Sequence, residues 1–261
     1  MGEAERRWAE ALAGWEIPEE IRRQASADPW QLPPSLFPAP AQDEPVDTPA
    51  RHRALEALPA RGTVLDVGVG GGAASLPLAP PATLVVGVDQ SADMLAAFAR
   101  AAEDRGIAHQ EVRGPWPEAS GEAPVADVVV SHHVLYNVPG LAAFATALTA
   151  HARHRVVVEI TGRHPVTGTN GLWRHFWDLQ RPEGPTADDA VSVLLEAGIE
   201  SQLEREDRPA RRHVRHADRL AFLTRRLCLH PERQPEVEEA LAAFPEPATR
   251  EYVTLSWPGT G

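Results

Sequence analysis

Three observations predict an α/β fold built on a largely parallel sheet with helices on both faces. Five apolar runs alternate with helical segments, four glycines crowd behind the first run, and a lone carboxylate closes the second. The runs occupy residues 63–67, 84–88, 107–112, 125–130 and 155–160. Two later runs, 199–205 and 252–257, lack that rhythm; the last has no helix after it and is free to insert antiparallel. At 261 residues the chain is long enough for one such domain plus a modest cap.

Residues 1–46 read as the cap, with helical pieces at 3–13 and 18–24 and the aromatics Trp8, Trp15, Trp30 and Phe37. These rings either pack the segment onto the core or close over a ligand. Thr48-Pro49 has the form of an N-cap followed by proline at the first helical position, which opens a helix through Leu58 that carries Arg51. Behind the first strand, 73–79 is expected to be a short helix ended by Pro80-Pro81, its N-terminus turned to the glycines and ready for an anion. Ser91 caps a helix whose apolar face is Met94, Leu95, Phe98 and Ala102 and which Gly106 stops. The turn 113–117 carries Trp116, and strand four leaves at 131–136. Pro139 opens a helix with Leu141, Phe144, Ala145 and Leu148 at helical spacing. The excursion 161–185, rich in large side chains, is too long to be idle. A Thr186-capped helix follows, then an arginine-rich stretch, 208–226, that reads as a solvated helix face and its approach, then a helix over 235–244.

A net charge of −12 and a pI near 5.4 disfavour nucleic acid as a partner, because phosphate binding gains from a basic stripe. No run is long and apolar enough for a membrane span, and the first twenty residues have no signal-like apolar core, so a cytoplasmic protein without a membrane partner is expected. A homodimer is the default assembly. The one cysteine, Cys228, sits among leucines as a small hydrophobe. Every one of the 25 basic residues is arginine, which excludes a Schiff-base or Walker lysine.

The glycine turn has two readings. Gly68-x-Gly70-x-x-Ala73 satisfies a dinucleotide fingerprint, with Asp89 about 20 residues on for the ribose. Asp66, two residues before the first glycine, opposes that reading: its charge repels a pyrophosphate and suits a ligand with a positive amino group. A nicotinamide-dependent oxidoreductase and a non-catalytic binding module therefore stand as the alternatives.

Asp66-x-Gly68-x-Gly70-x-Gly72, Val88-Asp89 at the end of strand two and 127–131 at the end of strand four resemble the successive motifs of the class I S-adenosylmethionine-dependent methyltransferases. The resemblance is good over 48–160. It implies a three-layer αβα sandwich with a seven-stranded sheet whose last strand is antiparallel, a methyltransferase domain over 47–261 with a substrate-side insertion at 162–185, and S-adenosylmethionine as cofactor. By that resemblance Asp66 orients the methionine amino group, Gly68, Gly70 and Gly72 admit the methionine portion, and Asp89 holds the ribose, with Gln90 and Met94 beside the adenine. The Gly114-Pro115-Trp116 turn occupies the adenine position, Ser131 and His132 flank the sulfonium, and Arg51 is a partner for the methionine carboxylate.

Transfer of a methyl group from a sulfonium needs chiefly an aligned nucleophile. If the acceptor is a hydroxyl or an acidic carbon, a histidine serves as base, and His133, His164 and His175 are the candidates, with Tyr136 as an orienting group. No histidine spacing typical of a metal site is present. The Asn/Asp-Pro-Pro-aromatic box of amine-methylating enzymes is absent, which favours an oxygen or carbon acceptor. That acceptor is expected to be a small apolar or aromatic molecule held among Trp15, Trp30, His164, Trp173, His175, Phe176 and Trp177.

Overall fold

The computed structural model describes residues 1–30, 47–209, 216–245 and 247–261. Phe37 and much of the arginine-rich stretch lie outside the described residues. The sheet runs β3 (Ala108–Arg113), β2 (Ala82–Asp89), β1 (Gly62–Val67), β4 (Ala126–His132), β5 (Ala152–Thr161), β7 (Thr249–Pro258), β6 (Gln202–Pro209). All pairings are parallel except those of β7, which is antiparallel to both neighbours. The expected seven-stranded sheet, with an antiparallel last strand, is thus observed. The reversal of order lies between β1 and β4, so their C-terminal ends open the crevice where ligands bind in such sheets.

The central strands are apolar runs because both faces are covered. Leu65, Val67, Val86, Val88, Val129 and Val158 face a core closed by α5 (Leu141–His151) and α7 (Ala187–Glu196). Val64, Val85, Val128, Val130 and Val157 face the opposite core under α3 (Pro49–Ala57) and α4 (Ala92–Glu103). The caps are those the sequence announces: Thr48 accepts from Arg51 N at 3.1 Å, Ser91 from Met94 N at 3.3 Å, and Thr186 and Asp189 form a reciprocal capping box.

One expected element is missing. Residues 73–79 form no α-helix; a turn leads into a single 3-10 segment, Leu76–Leu78. Gly70 and Gly72 both hold positive φ, Pro77 has no N–H to donate, and Pro80 follows too soon for a second turn. This segment therefore turns no helix dipole to the glycine turn, and whatever binds there meets its individual backbone groups and side chains.

The N-terminal segment divides between two cores. Helix α1 (Glu3–Ala13) packs on α7, and the Glu196 carboxylate accepts from the free amides of Glu3, Ala4 and Glu5 at 2.7, 3.1 and 3.2 Å, a remote N-cap. Trp8 is fully buried, donates to Val138 O at 2.8 Å and stacks on Tyr136. Trp8→Ala is expected to cost about 3–5 kcal/mol in denaturant unfolding. Beyond α1, Ile17 and Ile21, the latter on α2 (Glu19–Arg22), join α6 (Asn170–Trp177), α8 (His216–Arg226) and α9 (Gln234–Ala243) in a third core with Trp173, Leu223 and Val237. This core draws on three stretches of chain, whereas the sequence reading placed the cap in residues 1–46 alone. Cys228 is buried in it.

Two arginines of the basic stretch contradict its reading as a solvated face. Arg208 lies on β6 with its side chain 15% exposed, and Arg226, on α8, is 7% exposed.

Candidate active site

The glycine turn leaves β1 with φ of 79°, 51° and 80° at Gly68, Gly70 and Gly72, where a side chain is strained. A Cβ on Gly68 would lie 2.3 Å from Val134, whereas one on Gly70 would meet nothing within 4 Å. Gly70 therefore presents bare backbone to open space. Asp89, at the tip of β2, accepts from Gly70 N at 3.1 Å and Ser91 N at 2.9 Å. Both its oxygens are so fixed with lone pairs to spare, which suits a pair of neighbouring hydroxyls.

Beneath the turn, Asp66 is 1% exposed. Its Oδ2 accepts from Ser75 at 2.6 Å, and its Oδ1 is buried with no hydrogen-bond partner. Burial, opposed by the Ser75 hydrogen bond and reinforced by the Asp89 charge, pushes the carboxyl up to about 7. A buried carboxylate oxygen without a partner is costly unless a cationic donor completes it. These residues fit the expected cofactor: an amino group for Asp66, close backbone approach at Gly70, and a diol for Asp89. Arg51 donates to Pro77 O at 3.3 Å, which holds it beside the same turn. Gln90 is exposed and Met94 half-buried at the start of α4, and the Gly114 amide binds Asp89 O at 3.1 Å. Pro115 is exposed, but Trp116 turns inward, 8% exposed, with its ring edge-on to His151. The 113–117 turn therefore offers a ligand backbone and Pro115, with the indole kept in the core.

At the tip of β4, Ser131 is buried and donates to Val67 O at 2.8 Å, tying the two central strands together. His132 is half-buried beside it. His133 stands exposed with φ 61°, a left-handed conformation uncommon for a residue with a Cβ and often found at functional sites. Its Nε2 lies 3.3 Å from Glu159 Oε1 on β5, and the other oxygen of Glu159 pairs with Arg208. The Arg208 guanidinium covers the Tyr252 ring at 3.7 Å. Glu159 is 2% exposed; burial alone would raise its carboxyl, yet the contact with His133 and the charges of His132, His133 and Arg208 override it and hold the group well below the usual range.

Tyr136, the expected orienting group, is turned into the core. It is 5% exposed, its hydroxyl donates to Thr161 O at 2.6 Å, and burial, with the charges of Asp189 and Glu251, makes the phenol a weaker acid than usual. The residue braces the β4 tip against the end of β5. Tyr136→Phe should cost roughly 1–2 kcal/mol of stability, the size of one buried hydrogen bond, and leave a pH–rate profile unmoved.

The aromatic candidates separate into two groups. His164 stacks on Trp15 with centroids 4.3 Å apart and touches Tyr136 edge-on, while the Arg181 guanidinium bridges the rings of Trp15 and Trp173 at 5.3 and 5.0 Å. Trp30 lies under Arg226 at 3.8 Å. His175 and Phe176 belong elsewhere: His175 packs on Phe244, and Phe176 lies under Arg233, near α9. Trp177 donates to Leu227 O at 2.7 Å inside the cap. Burial, with Arg226 and Arg181 nearby, pushes His164 down to about 4, so at neutral pH its imidazole is uncharged. A cavity of about 570 Å³ opens at the C-terminal end of β5, lined by His164, Gly162, Thr186, Asp188, Arg205 and Glu251.

Residues 64–154, which hold the glycine turn, Asp89 and the β4 tip, match the family described as methyltransferase domain. The part of the chain that builds the crevice is thus similar to methyltransferase domains. A ubiquinone biosynthesis O-methyltransferase of Paramagnetospirillum magneticum is 33% identical over 151 residues, 54% of this chain and 60% of that protein. The chain therefore spans under two thirds of that relative's length. Among solved structures, the YcgJ protein of Bacillus subtilis superposes with a TM-score of 0.55 at 14% identity, over 81% of this chain and 98% of that one. Precorrin 8w decarboxylase of Methanobacterium thermoautotrophicum gives 0.50 at 16%, over 94% and 100%. At such identities the likeness concerns the fold of the methyltransferase domain.

Sequence reasoning missed Ser75, Glu159, Arg208, Arg181 and Arg226 as members of these clusters. Glu159 alone left a signal, as the one charged residue in the apolar run 156–160.

Proposed function

We propose that the protein transfers a methyl group from S-adenosylmethionine to a small-molecule acceptor with an oxygen or carbon nucleophile, in line with the O-methyltransferase named among its relatives. The observation that carries this reading is the unpartnered Oδ1 of buried Asp66 beneath the open face of Gly70. S-adenosylmethionine, when bound, supplies an electrophilic methyl group on sulfur together with its own leaving group. Asp66 binds the amino group, Asp89 the ribose, and Gly68, Gly70 and Gly72 leave room for the methionine portion, with Arg51 placed for its carboxylate.

The rest of the chemistry belongs to the protein's own groups. With Nε2–H turned to Glu159, His133 has its lone pair on Nδ1, exposed at the β4 tip, and takes the acceptor's proton there. Glu159 fixes the tautomer and offsets the imidazolium charge that then forms; Arg208 keeps Glu159 ionised. The cavity at the end of β5 has the volume of a small-molecule site.

Calorimetry with S-adenosylhomocysteine and with NAD, followed by labelled-methyl transfer into a metabolite extract, tests the reading. Saturable binding of the homocysteine nucleoside and label in an extracted small molecule are expected. Binding of NAD alone would overturn it.

A further inference from the structure

Arg226 is 7% exposed in the cap, and its polar contact among the described residues is a 3.3 Å hydrogen bond to Pro29 O. Arg181 spends two nitrogens on the carbonyls of Glu16 and Trp15, while its Nε is buried without a partner. His164 Nδ1 is likewise buried and unpartnered. The three groups sense one another: both guanidinium charges depress His164, and Arg181 adds to the burial that lowers Arg226 to about 10. Among the described residues neither arginine has a carboxylate within ion-pairing distance; the charge of Asp28 reaches Arg226 only from farther off. On a chain of net charge −12, a buried and a half-buried guanidinium group without a counter-ion among the described residues are an expensive arrangement.

Such an arrangement persists where an anion completes it. Carboxylates are well matched to guanidinium N–H groups. Trp15, Trp173 and Trp30 wall the site. We propose that Arg181 and Arg226 form an anion site under the cap that takes the carboxylate of the methyl acceptor, so that the acceptor is an aromatic acid. This rests on the methyl-transfer reading for the word acceptor; the anion site itself does not. The cofactor's own carboxylate is a different matter, because Arg51 stands beside the glycine turn, whereas the arginine pair acts on His164, which packs on Trp15 and Tyr136.

The tryptophans supply the readout. Titration of the full chain, with S-adenosylhomocysteine present, is made with benzoate and with uncharged benzamide while indole fluorescence is followed. Benzoate is expected to quench saturably and to bind at least tenfold more tightly than benzamide. Arg226→Gln should lose that preference with S-adenosylhomocysteine affinity unchanged, and Arg226→Lys should restore part of it. Arg181→Gln provides a second variant should Arg226→Gln fail to fold. Equal binding of the two probes, no saturable benzoate binding, or a preference that survives both glutamine variants overturns the proposal. Failure of the methyl-transfer reading would show separately, as absence of S-adenosylhomocysteine binding to the unaltered chain.

Discussion

Asp66→Asn is expected to lower S-adenosylhomocysteine affinity by a factor of a hundred or more. The variant keeps the volume and an acceptor for Ser75 but removes the charge that faces the ligand's amino group, and a charged hydrogen bond out of water carries about 1.5–3 kcal/mol or more. The unaltered chain should show the same dependence through pH. With the carboxyl raised to about 7, Asp66 is largely neutral in the free protein at pH 6, and a cationic ligand must first strip its proton. Affinity is therefore expected to rise up to roughly tenfold per pH unit from pH 5.5 towards 7 and then level off, and the asparagine variant should lose this slope. Stability runs the other way. Between its unfolded and folded titration ranges the native carboxyl holds a proton that the unfolded chain has released, so stability falls as pH rises through that window, and the cost is complete above about 7. The stability of Asp66→Asn relative to the unaltered chain should accordingly improve by a few kcal/mol between pH 4 and pH 8, measured by denaturant unfolding without ligand. An affinity that ignores both the substitution and the pH would remove Asp66 from the binding site.

The parts of this protein that were legible in its sequence are those governed by local physics. Strand periodicity, the Thr48, Ser91 and Thr186 caps and the positive-φ glycines follow from propensities that act over a few residues. The segment 73–79 misled because its composition permits a helix while Gly72 and Pro77 together allow only one tight turn. Most of what stayed hidden depends on residues far apart in the chain. Glu159 meets His133 across a strand pair and Arg208 from β6, 49 positions away, and the cap core joins Ile21 to Leu223. The setting of Tyr136 was hidden for the same reason: the carbonyl of Thr161, 25 positions away, holds it in the core.

His133→Ala is expected to cut methyl transfer by about 10²–10⁴-fold, the usual range for a general base, while S-adenosylhomocysteine still binds as before. Glu159→Gln should act through the histidine. Without the carboxylate beside Nε2 the ring loses the partner that fixes its tautomer and orientation, so the rate per folded molecule falls by about tenfold or more. A merely structural role for Glu159 would lower the melting temperature and the amount of active protein without lowering the rate per folded molecule. The distinction matters because the substitution also strips Arg208 of its buried partner, which by itself costs stability. Thermal unfolding of the same samples therefore accompanies the kinetics, with Arg208→Gln as the companion variant. That variant loses the same ion pair yet leaves the carboxylate facing His133, so it should retain a plateau closer to the unaltered enzyme than Glu159→Gln does. Should His133→Ala keep its rate within a few-fold across pH 6–9, proton removal at the β4 tip would not limit turnover, and the strained backbone of His133 would have to serve the shape of the site alone.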